Sequence, residues 1–573
     1  MFRTNEEHRQ AQMFTTLGTL PAKERAVLEE SWAATFYREV FCRLDEQPFA
    51  VLYAQEPSRP NIPVNLLVAL ELLKAGLGWS DEELISNFYF NVQIRYALGL
   101  SNLGDEHFDV RSVYNFRQRL SQHMQATGEN LIAQAFEQVT DAQLSDWAVK
   151  MGRVRMDSTQ VASNIRTWSR LHLLVEVVQR VYRLLTEVDR ARYAADFAPY
   201  VQGSSGQYVY RVRSEEGQAH LQRVGELMAS LITKLAATYE AEAPYQMLVR
   251  VFHEHFTVTD TGWRLKVGSE LSASSLNSPD DVEATFRRKR TQSYVGYVAN
   301  VSETCDPANA CQLIVKVQVA PNVTDDPVLL EQALPDLTER LALTELHTDG
   351  GYNNEATANL ARDLGVDHVQ TAIRGHVAAG LGLAAFDFGA AASDRVTTVT
   401  CPQGQRASVV RTPRAKRFAT AHFTAEQCEA CPLGDRCPAE GHKRKPGRTL
   451  SFDPHDVEIA RRRRRIAENK TRQQNLRAAV ESTIAAVKHP FRGGKLPVRG
   501  RFRVHCLLLG SAAMVNLRRI HRYLVQRPLK DAQQAVVEAR MRASEQPFYF
   551  RLRHLGGSVR LLFAHHAYPS AVS

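Results

Sequence analysis

Three acidic residues stand far apart in unlike surroundings: Asp157 in Val154-Arg-Met-Asp-Ser-Thr159, Asp349 in Leu346-His-Thr-Asp-Gly-Gly-Tyr352, and Glu481 in Arg477-Ala-Ala-Val-Glu-Ser-Thr-Ile-Ala-Ala-Val-Lys488. Carboxylates are hard oxygen ligands suited to Mg²⁺, and a pair of such ions drives in-line displacement at phosphorus. Metal-dependent cleavage and joining of DNA is the chemistry this pattern points to. Positions 477, 481, 484 and 488 are four, three and four apart, so Arg477, Glu481 and Lys488 share one helical stripe. Such cations suit phosphate oxygens better than metal ions. A plain surface glutamate paired with Arg477 explains the same stretch equally well.

Two further sets of residues carry chemistry. Cys401, Cys428, Cys431 and Cys437 form a C-x26-C-x2-C-x5-C set, and four thiolates complete the tetrahedral shell of a structural Zn²⁺. Unpaired thiols and a redox pair are the alternatives, and His422 and His442 are candidate replacement ligands. The run Arg461 to Arg465 places Arg461, Arg462, Arg464 and Arg465 as candidates to grip DNA. Five consecutive arginines on a helix point in every direction, so some must pair with acids or with a second DNA segment.

The elements that must position these residues can be read from periodicity. Residues 1–145 read as a helical domain, with an amphipathic run over Ile62 to Lys74, a capping box at Ser80 and Glu83, and a mixed aromatic and basic helix from Ser112. A helix of that kind fits a DNA groove, and core packing explains its apolar positions as well. A strand then carries Asp157. Residues 166–290 read as a helical insertion, from the spacing of Leu171, Leu174, Val175, Val178 and Val181. Ser293 to Val301 and Gln312 to Val319 form an antiparallel pair. Helix 327–342, the strand ending at Asp349, helix 354–364 and strand 367–373 follow. Residues 376–450, rich in Gly, Ala, Pro and basic side chains, form a Cys-rich, irregular, zinc-stapled insertion, and long helices span 454–489 and 504–527. The order predicts an α/β class: a ribonuclease-H-like catalytic core over 146–530, a mixed sheet flanked by helices, with two insertions and a tail at 531–573.

Composition narrows the partners. The chain has 573 residues and a formal net charge of +9, with Lys and Arg crowded at 286–290, 411–417, 442–445, 461–465 and 491–503. Such clusters favour a polyanion, with affinity that falls steeply with salt. The longest apolar stretches are about half a bilayer span, so membrane insertion is not expected. The first residues lack the apolar core of a signal peptide, and eight cysteines read as reduced thiols, which together predict a cytoplasmic, nucleoid-associated protein.

With these residues in place, the chain resembles the DDE-type transposases of bacterial insertion sequences, in the group of insertion-sequence four and five relatives, most closely the branch numbered eleven eighty-two. The resemblance rests on Asp157-Ser-Thr159, Thr348-Asp-Gly-Gly-Tyr352 and Arg477-x3-Glu481-x6-Lys488. It implies that Asp157, Asp349 and Glu481 hold two Mg²⁺ or Mn²⁺ ions. It implies too that Arg477 and Lys488 position the DNA backbone, and that the helical amino-terminal region binds DNA or oligomerises. The implied partners are double-stranded transposon ends, target DNA and a second copy of the chain. One departure is visible. The family signature begins with Tyr three residues before the Arg, where this chain has Gln474.

Overall fold

The run of Val, Met and polar residues after Arg153 makes a strand against which the rest of the main sheet assembles. The computed structural model describes residues 2–10, 14–54, 60–166, 168–260, 262–289, 291–372, 381–389, 395–411, 419–441, 446–471 and 476–544. Gln474, His442, the basic residues 412–417 and 442–445, and the tail beyond 544 lie outside the described residues. Its strands are β1 Arg153–Val161, β2 Phe256–Thr259, β3 Gly262–Leu265, β4 Thr285–Lys289, β5 Gln292–Thr304, β6 Ile314–Pro321, β7 Glu345–Thr348, β8 Asp367–Gln370, β9 Thr398–Thr400, β10 Arg406–Arg411, β11 Ala419–Phe423, β12 Glu440–Gly441 and β13 Arg448–Phe452.

The main sheet runs β4-β5-β1-β7-β8, with β6 also paired to β5. Strand β5 lies antiparallel to both β1 and β6, whereas β7 is parallel to β1 and β8 parallel to β7. Helix Asp326–Leu341 makes the crossover from β6 to β7, and Glu355–Asp363 the one from β7 to β8. Parallel neighbours need such crossovers, and antiparallel ones need only a turn. This mixed α/β arrangement fits a broadly ribonuclease-H-like class.

Three sequence expectations are corrected. Helix 454–489 is two helices among the described residues, Pro454–Thr471 and Val480–Lys488, with Arg477 in the turn before the second. Beside that turn Leu476 gives its carbonyl to the Arg155 guanidinium. The Cys-rich stretch is not irregular: its described residues form a five-stranded antiparallel sheet, β12-β13-β11-β10-β9, around Phe386, Phe388, Val399, Phe423 and Phe452. Its strands span only two to six residues, too short for alternation to register. Strand β4, inside the stretch read as a helical insertion, belongs to the main sheet through its pairing with β5. The rest of that insertion is helical, with its own core around Leu174, Val178, Val224, Met228 and Leu248 and a small β2–β3 hairpin.

The amino-terminal helices share a core with the sheet. Phe36, Phe88, Leu70 and Phe116 belong to the same buried cluster as Tyr297 and Val301 of β5, Ile484 and Leu508. Burying one such side chain is worth roughly 1.5–3 kcal/mol. Ser80 opens helix Asp81–Phe90 with the expected capping box. Helix Val64–Leu77 meets the last helix, Arg501–Ser544, through small residues: a Cβ on Gly510 would lie 2.7 Å from the Cβ of Ala75. Residues Met1–Arg519 make one compact unit, and Ile520–Ser573 a second, described only through Ser544.

Candidate active site and nucleic-acid interface

The register of the sheet brings two of the three carboxylates together. Arg155 pairs with His347 across the parallel β1–β7 ladder, so two residues further on Asp157 comes alongside Asp349. Asp157 is the fifth of nine residues in β1. Strand β7 stops at Thr348 while β1 continues against β5 as far as Val161. The chain of β7 turns away into Gly350–Tyr352, and the Gly351 N–H donates to Asp349 Oδ1 at 2.7 Å.

Arg477 joins the third carboxylate to this pair. Its Nη2 donates to Asp157 Oδ2 at 2.7 Å and lies 3.4 Å from Glu481 Oε1. Burial raises the Asp157 pKa, the Arg477 guanidinium partly offsets that rise, and the Asp349 charge adds to it. Burial acts against the charge on Arg477, but Asp157, Asp349 and Glu481 outweigh it and raise its pKa. Glu481 itself is 68% exposed. Lys488, its pKa lowered by burial, donates to Thr159 Oγ1 and the Gln160 carbonyl, beyond Asp157 on β1. The stripe inferred for Arg477, Glu481 and Lys488 thus faces β1, although Arg477 stands before the helix.

The donor chemistry, carboxylate oxygens, suits a hard divalent cation, with both Asp157 oxygens taken up by the Ser158 N–H and Arg477 and one Asp349 oxygen by the Gly351 N–H. Among those residues no three His, Cys, Asp or Glu side chains are gathered closely enough to clasp an ion. That holds for the four cysteines too. Cys401, Cys428, Cys431 and Cys437 do converge, lining one 30 Å³ cavity together with Phe386 and Phe423. All four are free thiols. Burial raises the Cys428 pKa, and the neighbouring Cys437, Cys431 and Cys401 add to the rise.

The arginine run is engaged within the chain. Arg461 donates to the Phe388 and Gly389 carbonyls, Arg462 pairs with Glu458, Arg464 with Asp387 and Arg465 with Asp367. The outer two pairs are exposed, where an ion pair contributes little and can be exchanged for a phosphate.

Sequence reasoning missed the buried polar residues behind the triad. Tyr352, fully buried, donates to Asn300 Oδ1, and Asn300 in turn donates to Gln318. Glu303, two strand positions from Asn300's neighbour Val301, takes hydrogen bonds from Arg155, Thr483 and Arg519. The signal was present: Asn300, Ser302 and Glu303 are polar residues that follow the apolar Tyr297-Val-Ala299 in a stretch of β5 buried on both faces, which demands partners. His347 contacts Glu345, and the backbone of Asn164 pairs with Val498.

Residues 400–521 match the family described as "Transposase DDE domain". Residues 27–119 match the "Transposase domain (DUF772)" family. The first span contains Arg477, Glu481, Lys488 and the four cysteines; Asp157 and Asp349 lie outside both. Neither a curated protein nor a solved structure matches the chain. Both matches are to transposase domain families, and together they indicate a DDE-type transposase of the insertion-sequence kind. Among the described residues no helix is long and apolar enough to cross a membrane.

Proposed function

We propose that the protein binds the terminal inverted repeats of an insertion sequence as a homo-oligomer, cleaves DNA at the element's ends, and transfers the 3′-hydroxyls to target DNA. The observation that supports this reading is the approach of Asp157 on β1 to Asp349 just past the end of the parallel strand β7, with Arg477 linking Asp157 to Glu481. Asp157, Asp349 and Glu481 would hold two Mg²⁺ or Mn²⁺ ions. Bound there, the ions supply activation of a water or 3′-hydroxyl and stabilisation of the leaving oxygen.

The chain's own residues do the rest. Arg477 and Lys488 present cations on the same side of β1 as Asp157, where a phosphate backbone can be oriented. Arg464 and Arg465 extend the basic surface, and the amino-terminal helices take up DNA or a second subunit. The four cysteines line one cavity of the small sheet, and a structural Zn²⁺ there would need them drawn closer together than they stand. The place of work is the bacterial cytoplasm, on the nucleoid. The test is nicking of end DNA in Mg²⁺. Asp157→Asn, Asp349→Asn and Glu481→Gln should each lower it by at least roughly 10³-fold while end binding persists. Full activity in any of them removes that residue from the site. A nuclease that cuts without joining is excluded by a strand-transfer product in the same assay.

A further inference from the structure

Glu303 sits next to the end of β5, among buried residues, with no side-chain exposure at all. A buried carboxylate persists only when its lone pairs are taken up, and here they are. Arg155 Nε donates to Oε1 at 2.7 Å and Arg519 Nη1 to Oε2 at 2.7 Å, while the Thr483 hydroxyl lies 2.8 Å from both oxygens. The guanidiniums also reach backbone: Arg155 donates to the Leu476 carbonyl and Arg519 to that of Gln312. Four segments meet at this one carboxylate, namely β1, β5, helix Val480–Lys488 and the last helix.

Apolar packing would hold four segments together with less desolvation. What the polar arrangement adds is direction, because each hydrogen bond fixes an angle as well as a distance. Its attachment points are close to the triad. Arg155 precedes Asp157 by two residues on the same face of β1, about 6.6 Å along the strand. Thr483 follows Glu481 by two residues, about 3 Å of helix rise. Leu476, held by Arg155, is the neighbour of Arg477.

We propose that Glu303, acting through Arg155, Thr483 and Arg519, is the positioning residue that sets where Glu481 and Arg477 stand relative to Asp157, and thereby the affinity of the triad for a divalent cation. The inference rests on the reading of Asp157, Asp349 and Glu481 as the metal-binding set. It assigns Glu303 no contact with DNA or metal.

The experiment measures Mn²⁺ binding to the purified full chain from the loss of the free-ion paramagnetic resonance signal, alongside melting temperature. Thr483→Val keeps the side-chain shape and removes the hydroxyl; Thr483→Ser keeps the hydroxyl. The expected result is Mn²⁺ affinity lowered about 10-fold in Thr483→Val and restored to within about 2-fold in Thr483→Ser, the scale seen for partners that orient metal ligands. Glu303→Gln, which turns two guanidiniums onto a neutral amide, should lower it further. Should Thr483→Val bind Mn²⁺ as the parent does, or Thr483→Ser fall as far as Thr483→Val, the network is only a brace and the proposal fails. If Glu303→Gln does not fold, the Val and Ser pair decides alone. Asp157→Asn separates the two readings. If it leaves Mn²⁺ binding intact, the metal-site reading fails and takes the proposal with it; if it abolishes binding while Thr483→Val does not weaken it, the positioning role alone is rejected.

Discussion

Replacing Arg477 with Met should destabilise the protein in a way that depends on pH. Unit charges about 4 Å apart attract by about 4 kcal/mol at an effective dielectric of about 20, and stripping one partner from a buried pair costs about 3–5 kcal/mol. The Arg477 and Asp157 side chains keep 19% and 11% exposure, which lets water take over part of the lost contact. The expected loss is therefore about 2–3 kcal/mol at neutral pH. Burial already raises the Asp157 pKa, and Arg477 is the chief influence lowering it, so the variant raises it further. A carboxyl whose folded pKa lies above its unfolded one favours the folded state while protonated, and that advantage is lost as pH rises through the folded value. The deficit of Arg477→Met relative to the parent should thus be largest at neutral pH and shrink on acidification. Asp157→Asn in the same chain should recover most of it, because the uncompensated charge is gone. Urea unfolding of the four members of this cycle, at neutral and acidic pH, provides the measurement. A deficit below about 0.5 kcal/mol, the range of an indifferent surface change, would refute the pairing, as would one unchanged on acidification.

Other outcomes follow from the geometry. Changing Arg464 and Arg465 together to Gln should lower the slope of log affinity for end DNA against log salt by about 2 if both meet phosphates; an unchanged slope confines them to their pairs with Asp387 and Asp367. Purified protein should carry about one Zn²⁺ per chain, lost in Cys428→Ser/Cys431→Ser together with part of the thermal stability. Stoichiometric free thiols and no metal would instead leave the cysteines as cavity lining. Gly510→Ala, whose Cβ would fall 2.7 Å from that of Ala75, should cost about 1–3 kcal/mol. Adding Ala75→Gly should return part of that loss, and strict additivity of the two would show that the helices do not meet there.

The strand that carries Asp157 and the one that leads to Asp349 were legible because strand signals are local. Val154 to Thr159 and Leu346 to Tyr352 announce strands by composition, and the pairing of β5 with β6 announces itself by two apolar runs and a turn. The break before Val480 was not legible. The helical spacing of Arg477, Glu481 and Lys488 continues unbroken in sequence, and the Arg155 guanidinium holding the Leu476 carbonyl comes from a residue more than 300 positions away. The small sheet β9–β13 was missed for the opposite reason: its strands are too short for any period to accumulate. Glu303 was overlooked because the strand was read as ending at Val301, where the apolar residues stop, so the acid fell in the turn; β5 in fact runs on to Thr304 and buries it.

The shared core of the amino-terminal helices has a consequence for synthesis. Phe36, Leu70 and Phe136 share one buried core with Leu508, Ala512 and Leu517, which leave the ribosome nearly 400 residues after Phe136. At about 5–20 residues per second the amino-terminal helices wait roughly 20–80 s for the surface that completes them. Through that interval their apolar face must be shielded by transient partners or by chaperones. Chains cut short before residue 500 never receive it, so truncated copies should be cleared by proteolysis rather than persist as DNA-binding fragments that compete for the element's ends.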